Sequence, residues 1–157
     1  LQRRIQGAQQ LAALTGACVL AKGNRTVVVD AKAQVHTLPA ATPWLATAGS
    51  GDVLAGLMGG LLALNVRAGA GHVGATVASA AALAPEIAQL AARLHALAGQ
   101  LAAEATSPKP TEALTPKTTD ATGPKSASAV VDHPITAPEI AAAIPKAWAL
   151  YSSAAAN

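Results

Sequence analysis

Apolar positions recur with a helical period from the first residues, where Ile5, Ala8, Leu11 and Ala12 share one side of a predicted opening helix. The period then breaks at 17–21 (ACVLA), a continuous apolar run that predicts a strand buried on both faces, as strands of parallel sheets in α/β proteins are. A polar turn at 22–25 follows. The β-branched run 26–30 (TVVVD) and a second short run at 35–38 (VHTL) then predict a hairpin. Residues 39–50, rich in Pro, Thr, Ala and Gly, read as a loop that delivers the chain to a helix beginning near Gly51 or Asp52 and ending about Leu64.

Residues 68–83 and 86–105 predict two further helices, with Pro85 at the first turn of the second. Leu90, Leu94, Leu97 and Leu101 form one stripe along that second helix. At 106–134 the chain turns to Pro, Thr, Ser, Lys and Ala. So few large apolar residues cannot offset the entropy of ordering, which predicts a disordered linker or insertion. Beyond it, Thr136 and Glu139 have capping-box spacing, and Ile140, Ile144, Ala147, Trp148 and Tyr151 predict a closing helix within 135–157, kinked at Pro145.

Composition narrows the classes. About half of the apolar residues are Ala, and with no Phe, two Trp and one Tyr the core must come from Leu and Val on closely approaching elements. The single Cys18 excludes a disulfide framework, fits a reducing compartment, and in a buried strand is an inert small hydrophobe. A net charge of +3 with no basic cluster larger than Arg3 and Arg4 leaves no footprint for nucleic acid. Two apolar stretches, 46–64 and 73–92, raise the question of membrane helices, but Asp52 sits inside the first and Pro85 with Glu86 interrupts the second. Gln6, Gln9 and Gln10 break any apolar run that a secretory signal would need. Leu1 is not an initiator Met, and the opening residues already have helical spacing, so the chain reads as the later part of a longer one. His36, His72, His95 and His133 lack metal-ligand spacing, and His95 reads as a helix residue beside the leucine stripe. Gly56 and Gly60 have the small-xxx-small spacing that permits close helix packing.

Chemistry concentrates at 46–56 (ATAGSGDVLAG). Unsatisfied amides at a helix N-terminus, with roughly half a positive charge from the dipole, make an anion site. Gly49 and Gly51 carry no Cβ, so a phosphate can approach the backbone, and Asp52 would stand beside it as a base for an attacking hydroxyl. Gly56 comes too late for a dinucleotide fingerprint and no Lys-Ser or Lys-Thr follows, which excludes a Walker loop. The plain alternative is a Gly-Ser-Gly turn with Asp52 as an ordinary first-turn acid. The second candidate is Lys22-Gly23-Asn24-Arg25-Thr26, at a strand end where α/β sheets gather ligands, or else a solvated turn.

Taken in order, KGNRTVVVD, TPWLATAGSGDVLAGLMGGLLA, RLHALAGQLAAE and ITAPEIAAAIPKAW resemble the C-terminal half of the ADP-dependent (S)-NAD(P)H-hydrate dehydratases, members of the ribokinase-like superfamily. The resemblance implies a partial three-layer α/β/α fold, with 1–105 and 135–157 in one catalytic domain. It implies dehydration of the NADH or NADPH hydrate at the expense of ADP or ATP, by phosphorylation of the ring hydroxyl and loss of phosphate. Carried over by position, Lys22, Gly23, Asn24, Arg25, Thr26 and Gly51 would contact the nucleotide. Asp52 would meet the hydrate and deprotonate it, and the Gly49, Ser50 and Gly51 amides would form an anion hole. Magnesium would accompany the nucleotide, with no metal ligand assigned in this chain. A cytoplasmic location is implied, and self-association and fusion to, or pairing with, an NAD(P)H-hydrate epimerase are left open. Where the family commonly reads Asn-Pro-Gly-Met-Ala, this chain has Thr42-Pro43-Trp44-Leu45-Ala46, and the family domain is close to twice as long as the matched part. A small-molecule kinase of the same superfamily and a non-catalytic fragment share enough of these features to stand as alternatives.

Overall fold

The structure is a computed structural model that describes residues 1–69, 77–106 and 134–155. In chain order the elements are α1 (Gln2–Thr15), β1 (Val19–Ala21), β2 (Arg25–Val29), β3 (Val35–Ala40), a 3-10 turn (Pro43–Ala46), α2 (Ser50–Gly69), α3 (Val77–Thr106) and α4 (Ala137–Ala155). The chain is α/β, with a three-stranded sheet in the order β1-β2-β3 lying between α1 on one face and the packed helices on the other.

Strand alternation sorts the two faces. Val27 and Val29 of β2 point one way, onto Ala8 and Ala12 of α1. On the opposite face Leu38 of β3 joins a larger core built from Leu54 and Leu61 of α2, Leu94 and Ala98 of α3, and Ile140 and Ala147 of α4. The many alanines matter here, because Ala91, Ala98 and Ala147 are fully buried and let the helices come close. Gly99 takes this further: a Cβ there would stand 2.6 Å from Leu45 Cδ2, so α3 receives the 3-10 turn directly on its backbone.

Several expectations need correction. The run 17–21 is not a strand buried on both faces of a parallel sheet. Only Val19–Ala21 is extended, it is half-buried, and it pairs antiparallel with β2 alone, so its other edge has no strand partner among the described residues. Cys18 precedes that strand and is half-buried. The hairpin of β2 and β3 forms as expected, with a register shift between Arg25 and Val27, and Pro39 is tolerated because β3 is an edge. Pro85 does not start a helix; α3 runs through it. A proline frees the carbonyl four residues back, and here that is Ala81, exposed to water, so the missing bond costs less than it would in the core. Pro145 is likewise internal to one continuous α4. Gly56 and Gly60 are exposed and face nothing within 4 Å, so they do not serve helix packing among the described residues.

The start of α4 pairs Thr136 with Glu139 at the spacing its sequence predicts, through the acid's half of a capping box. The Thr136 amide and hydroxyl both donate to Glu139 Oε2, at 2.7 and 2.8 Å, which holds that carboxyl below the ordinary carboxylate range. Of the predicted linker 106–134, Thr106 is the last residue of α3 and Pro134 stands outside any helix or strand, while 107–133 lie outside the described residues. No helix among the described residues is long and apolar enough to cross a membrane.

Candidate active site

Lys22, Gly23 and Asn24, in the turn between β1 and β2, and Thr26 of β2 line a cavity of about 250 Å³ whose far wall is Leu54 of α2 and His95 of α3. The turn is held from both sides. The Arg4 guanidinium of α1 lies over Gly23, where any Cβ would collide with it, and its Nη1 donates to the Arg25 carbonyl at 3.0 Å. Lys22 Nζ donates to the Leu45 carbonyl at 2.9 Å, tying the turn to the 3-10 segment, and its burial lowers the ammonium pKa below the usual lysine range. Thr42 caps that segment by accepting from the Trp44 amide at 3.4 Å. Trp44 Nε1 is buried and has no partner among the described residues.

The second motif forms the first turn of α2. Gly49 has φ +79°, a left-handed conformation that favours glycine, and a Cβ there would stand 2.9 Å from the Cβ of Ala137. The Ser50 amide donates to Thr47 O at 3.3 Å, and the Asp52 and Val53 amides donate to Gly49 O at 3.0 and 3.1 Å. Gly51 differs from Gly49. It lies in the first turn, where the helix supplies no acceptor for its amide, and nothing stands within 4 Å of the place a Cβ would take. The space over Gly51 is open, and neither packing nor backbone strain demands glycine at that position.

Ser50 is fully buried and His95 is 3% exposed. Although the two are 45 residues apart, His95 Nε2 stands 2.9 Å from the Ser50 carbonyl and 3.3 Å from its hydroxyl. A carbonyl only accepts, so Nε2 carries the proton. Burial pushes the imidazole pKa down and nearby Lys22 pushes the same way, against the Ser50 carbonyl, so the ring is neutral near pH 7.

The structure thus brings Lys22, Gly23, Asn24 and Thr26 around one cavity. Arg25 is exposed and does not line it. Gly49, Ser50, Gly51 and Asp52 do not line it either; they adjoin it through His95, and Asp52 is exposed at the surface of this chain. His95 was missed by sequence reasoning, which placed it beside an apolar stripe. Its one sequence signal is a polar ring on the buried side of α3, next to fully buried Leu94. Among the described residues no three His, Cys, Asp or Glu side chains cluster to hold a metal. The Cys18 thiol pKa is raised by burial and then by Asp30, which makes it a poor nucleophile.

A family model described as NAD(P)H-hydrate dehydratase matches residues 1–116. The bifunctional NAD(P)H-hydrate repair enzyme Nnr of Mycobacterium tuberculosis is 50% identical over 66 residues, 42% of this chain and 14% of that protein. The ADP-dependent (S)-NAD(P)H-hydrate dehydratase of Neisseria meningitidis serogroup B is 39% identical over 104 residues, 65% of this chain and 34% of that protein. The Nnr enzyme of Gloeobacter violaceus is 54% identical over 59 residues, 37% of this chain and 12% of that protein. The chain therefore spans about a third or less of these relatives. No solved structure matches it.

Proposed function

Because the chain belongs to the NAD(P)H-hydrate dehydratase family, we propose that it forms the nucleotide-binding and phosphoryl-transfer part of an enzyme that dehydrates the (S)-hydrate of NADH or NADPH at the expense of ADP. The observation that carries this reading is the join between the two motifs: the cavity lined by Lys22, Gly23, Asn24 and Thr26 shares His95 with the loop that carries exposed Gly51, where nothing stands within 4 Å of the place a Cβ would take. A nucleoside diphosphate lying in the cavity would present its terminal phosphoryl group towards Gly51. Asp52, the next residue, would take the proton from the ring hydroxyl as its oxygen attacks phosphorus and AMP leaves. Hydroxide is a poor leaving group and phosphate a good one. Expulsion of phosphate and loss of a ring proton restore the conjugated dihydropyridine. Positive charge from Lys22 and the α2 N-terminus favours the developing anion.

Asp52 is exposed here, so this reading needs an opposing wall for the hydrate from parts of the domain outside this chain. Magnesium would come with the nucleotide. With no three-ligand cluster among the described residues, phosphate oxygens and water would supply its hard donors, and no side chain is assigned to it. The names of the bifunctional relatives support a second activity joined to this one, for which the resemblance implies an epimerase, and the single Cys and small-molecule substrates support a cytoplasmic setting.

Two experiments test the proposal. The 157-residue chain should bind ADP, read by calorimetry, and lose that binding in Lys22→Met. A chimera carrying this chain's residues in the matched stretch of the meningococcal dehydratase should restore reduced-nicotinamide absorbance from the hydrate only when ADP or ATP is present. A stable phosphorylated hydrate without that recovery would make the site a kinase, and nucleotide-independent behaviour of both proteins would defeat the proposal.

A further inference from the structure

Among the described residues His95 lies outside both motifs and yet meets both. It shares the cavity wall with Lys22 and Thr26, and its Nε2–H reaches the Ser50 carbonyl at 2.9 Å. Both residues are buried, Ser50 at 0% and His95 at 3% exposed. A carbonyl oxygen accepts twice, so α2 keeps its own ladder bond while the imidazole takes the second lone pair. Ser50 sits between Gly49, whose carbonyl receives the Asp52 and Val53 amides, and exposed Gly51, whose amide has no acceptor within the first turn of the helix. Holding the Ser50 carbonyl therefore sets the direction of the peptide plane that carries the Gly51 N–H, since the carbonyl and that N–H belong to one rigid amide.

We infer that His95 is a positioning residue. Through the Ser50 carbonyl it fixes the Ser50–Gly51 peptide, so that the Gly51 amide and the Asp52 carboxylate keep a set place relative to the nucleotide cavity. What the loop binds rests on the function proposed above; the latch itself does not.

Hydrogen exchange on the 157-residue chain separates the two. Without ligand, His95→Leu should speed exchange at the Asp52 and Val53 amides about tenfold, the factor that one net hydrogen bond of about 1.4 kcal/mol represents. The Ile140 and Ala147 amides in α4 should be unchanged. His95→Gln can donate from its Nε2 to the same carbonyl and should stay close to the parent. Ser50→Ala deletes the hydroxyl but keeps the carbonyl, and should also stay close. Unaltered exchange in His95→Leu, a uniform rise that includes α4, or a tenfold rise in Ser50→Ala would each overturn the latch. In a second arm, ADP should slow exchange at Asp52 and Val53 in the parent and in His95→Gln, and much less in His95→Leu. If the first arm holds while ADP alters nothing in any variant, the latch stands and the nucleotide reading falls.

Discussion

Gly49 and Ala137 meet so closely that a Cβ on the glycine would lie 2.9 Å from the Cβ of the alanine, which joins the first turn of α2 to the first residue of α4. The same glycine holds φ +79°. Gly49→Ala should therefore destabilise the chain by about 2 kcal/mol or more, from left-handed strain and overpacking together. A urea unfolding midpoint indistinguishable from the parent would show that α4 yields at this contact.

Gly51 makes the opposite prediction. With φ in the ordinary range and open space on its Cβ side, Gly51→Ala should leave the unfolding midpoint within about 0.5 kcal/mol of the parent. If a phosphate uses that space, ADP affinity should fall about tenfold or more, because a methyl group would hold the anion off the backbone amide. Calorimetry on the parent and the variant compares the two directly.

Asp52→Asn keeps the size of the side chain and removes its basicity. In the chimera, kcat should fall by about 10² to 10⁴, the usual worth of a positioned base, with KM for ADP little changed. A near-parental kcat would place the base elsewhere.

The neutral ring of His95 also predicts a pH dependence of stability. Its folded-state pKa is lowered, by burial first and Lys22 second, against the Ser50 carbonyl, so between that value and the unfolded pKa of about 6.5 the unfolded chain binds more protons. The contribution is complete above about pH 6.5 and is lost as the pH falls towards the folded-state value. Unfolding midpoints should drop across this window in the parent and flatten in His95→Gln. The Glu139 carboxyl, held low by Thr136, loses its contribution only further down, as the pH falls through its own lowered pKa. Equal slopes in parent and variant would mean that another group titrates.

Much of the site was legible because its signals are local. The KGNRT turn and the AGSGD turn carry their chemistry in a few consecutive residues, and the Thr136–Glu139 cap spans four positions. The helical run of α3 was legible too, but its proline misled: local rules end a helix at Pro85, whereas the surrounding packing of Ile87, Ala88 and Ala91 carries the helix through it. The β-branched run of β2 likewise marked a strand without saying which way β1 runs beside it.

By itself, then, the sequence determined which residues form turns, helices and strands and which two short strings hold the candidate chemistry. Those properties depend on hydrogen bonds and side-chain periods that reach only a few residues along the chain. Tertiary structure alone decided that His95 bonds Ser50, that Ala137 closes on Gly49, that Arg4 covers Gly23, and that Gly51 rather than Gly49 is left open. These pairings join elements far apart in sequence, and they arise from burial and close packing, which no local pattern specifies.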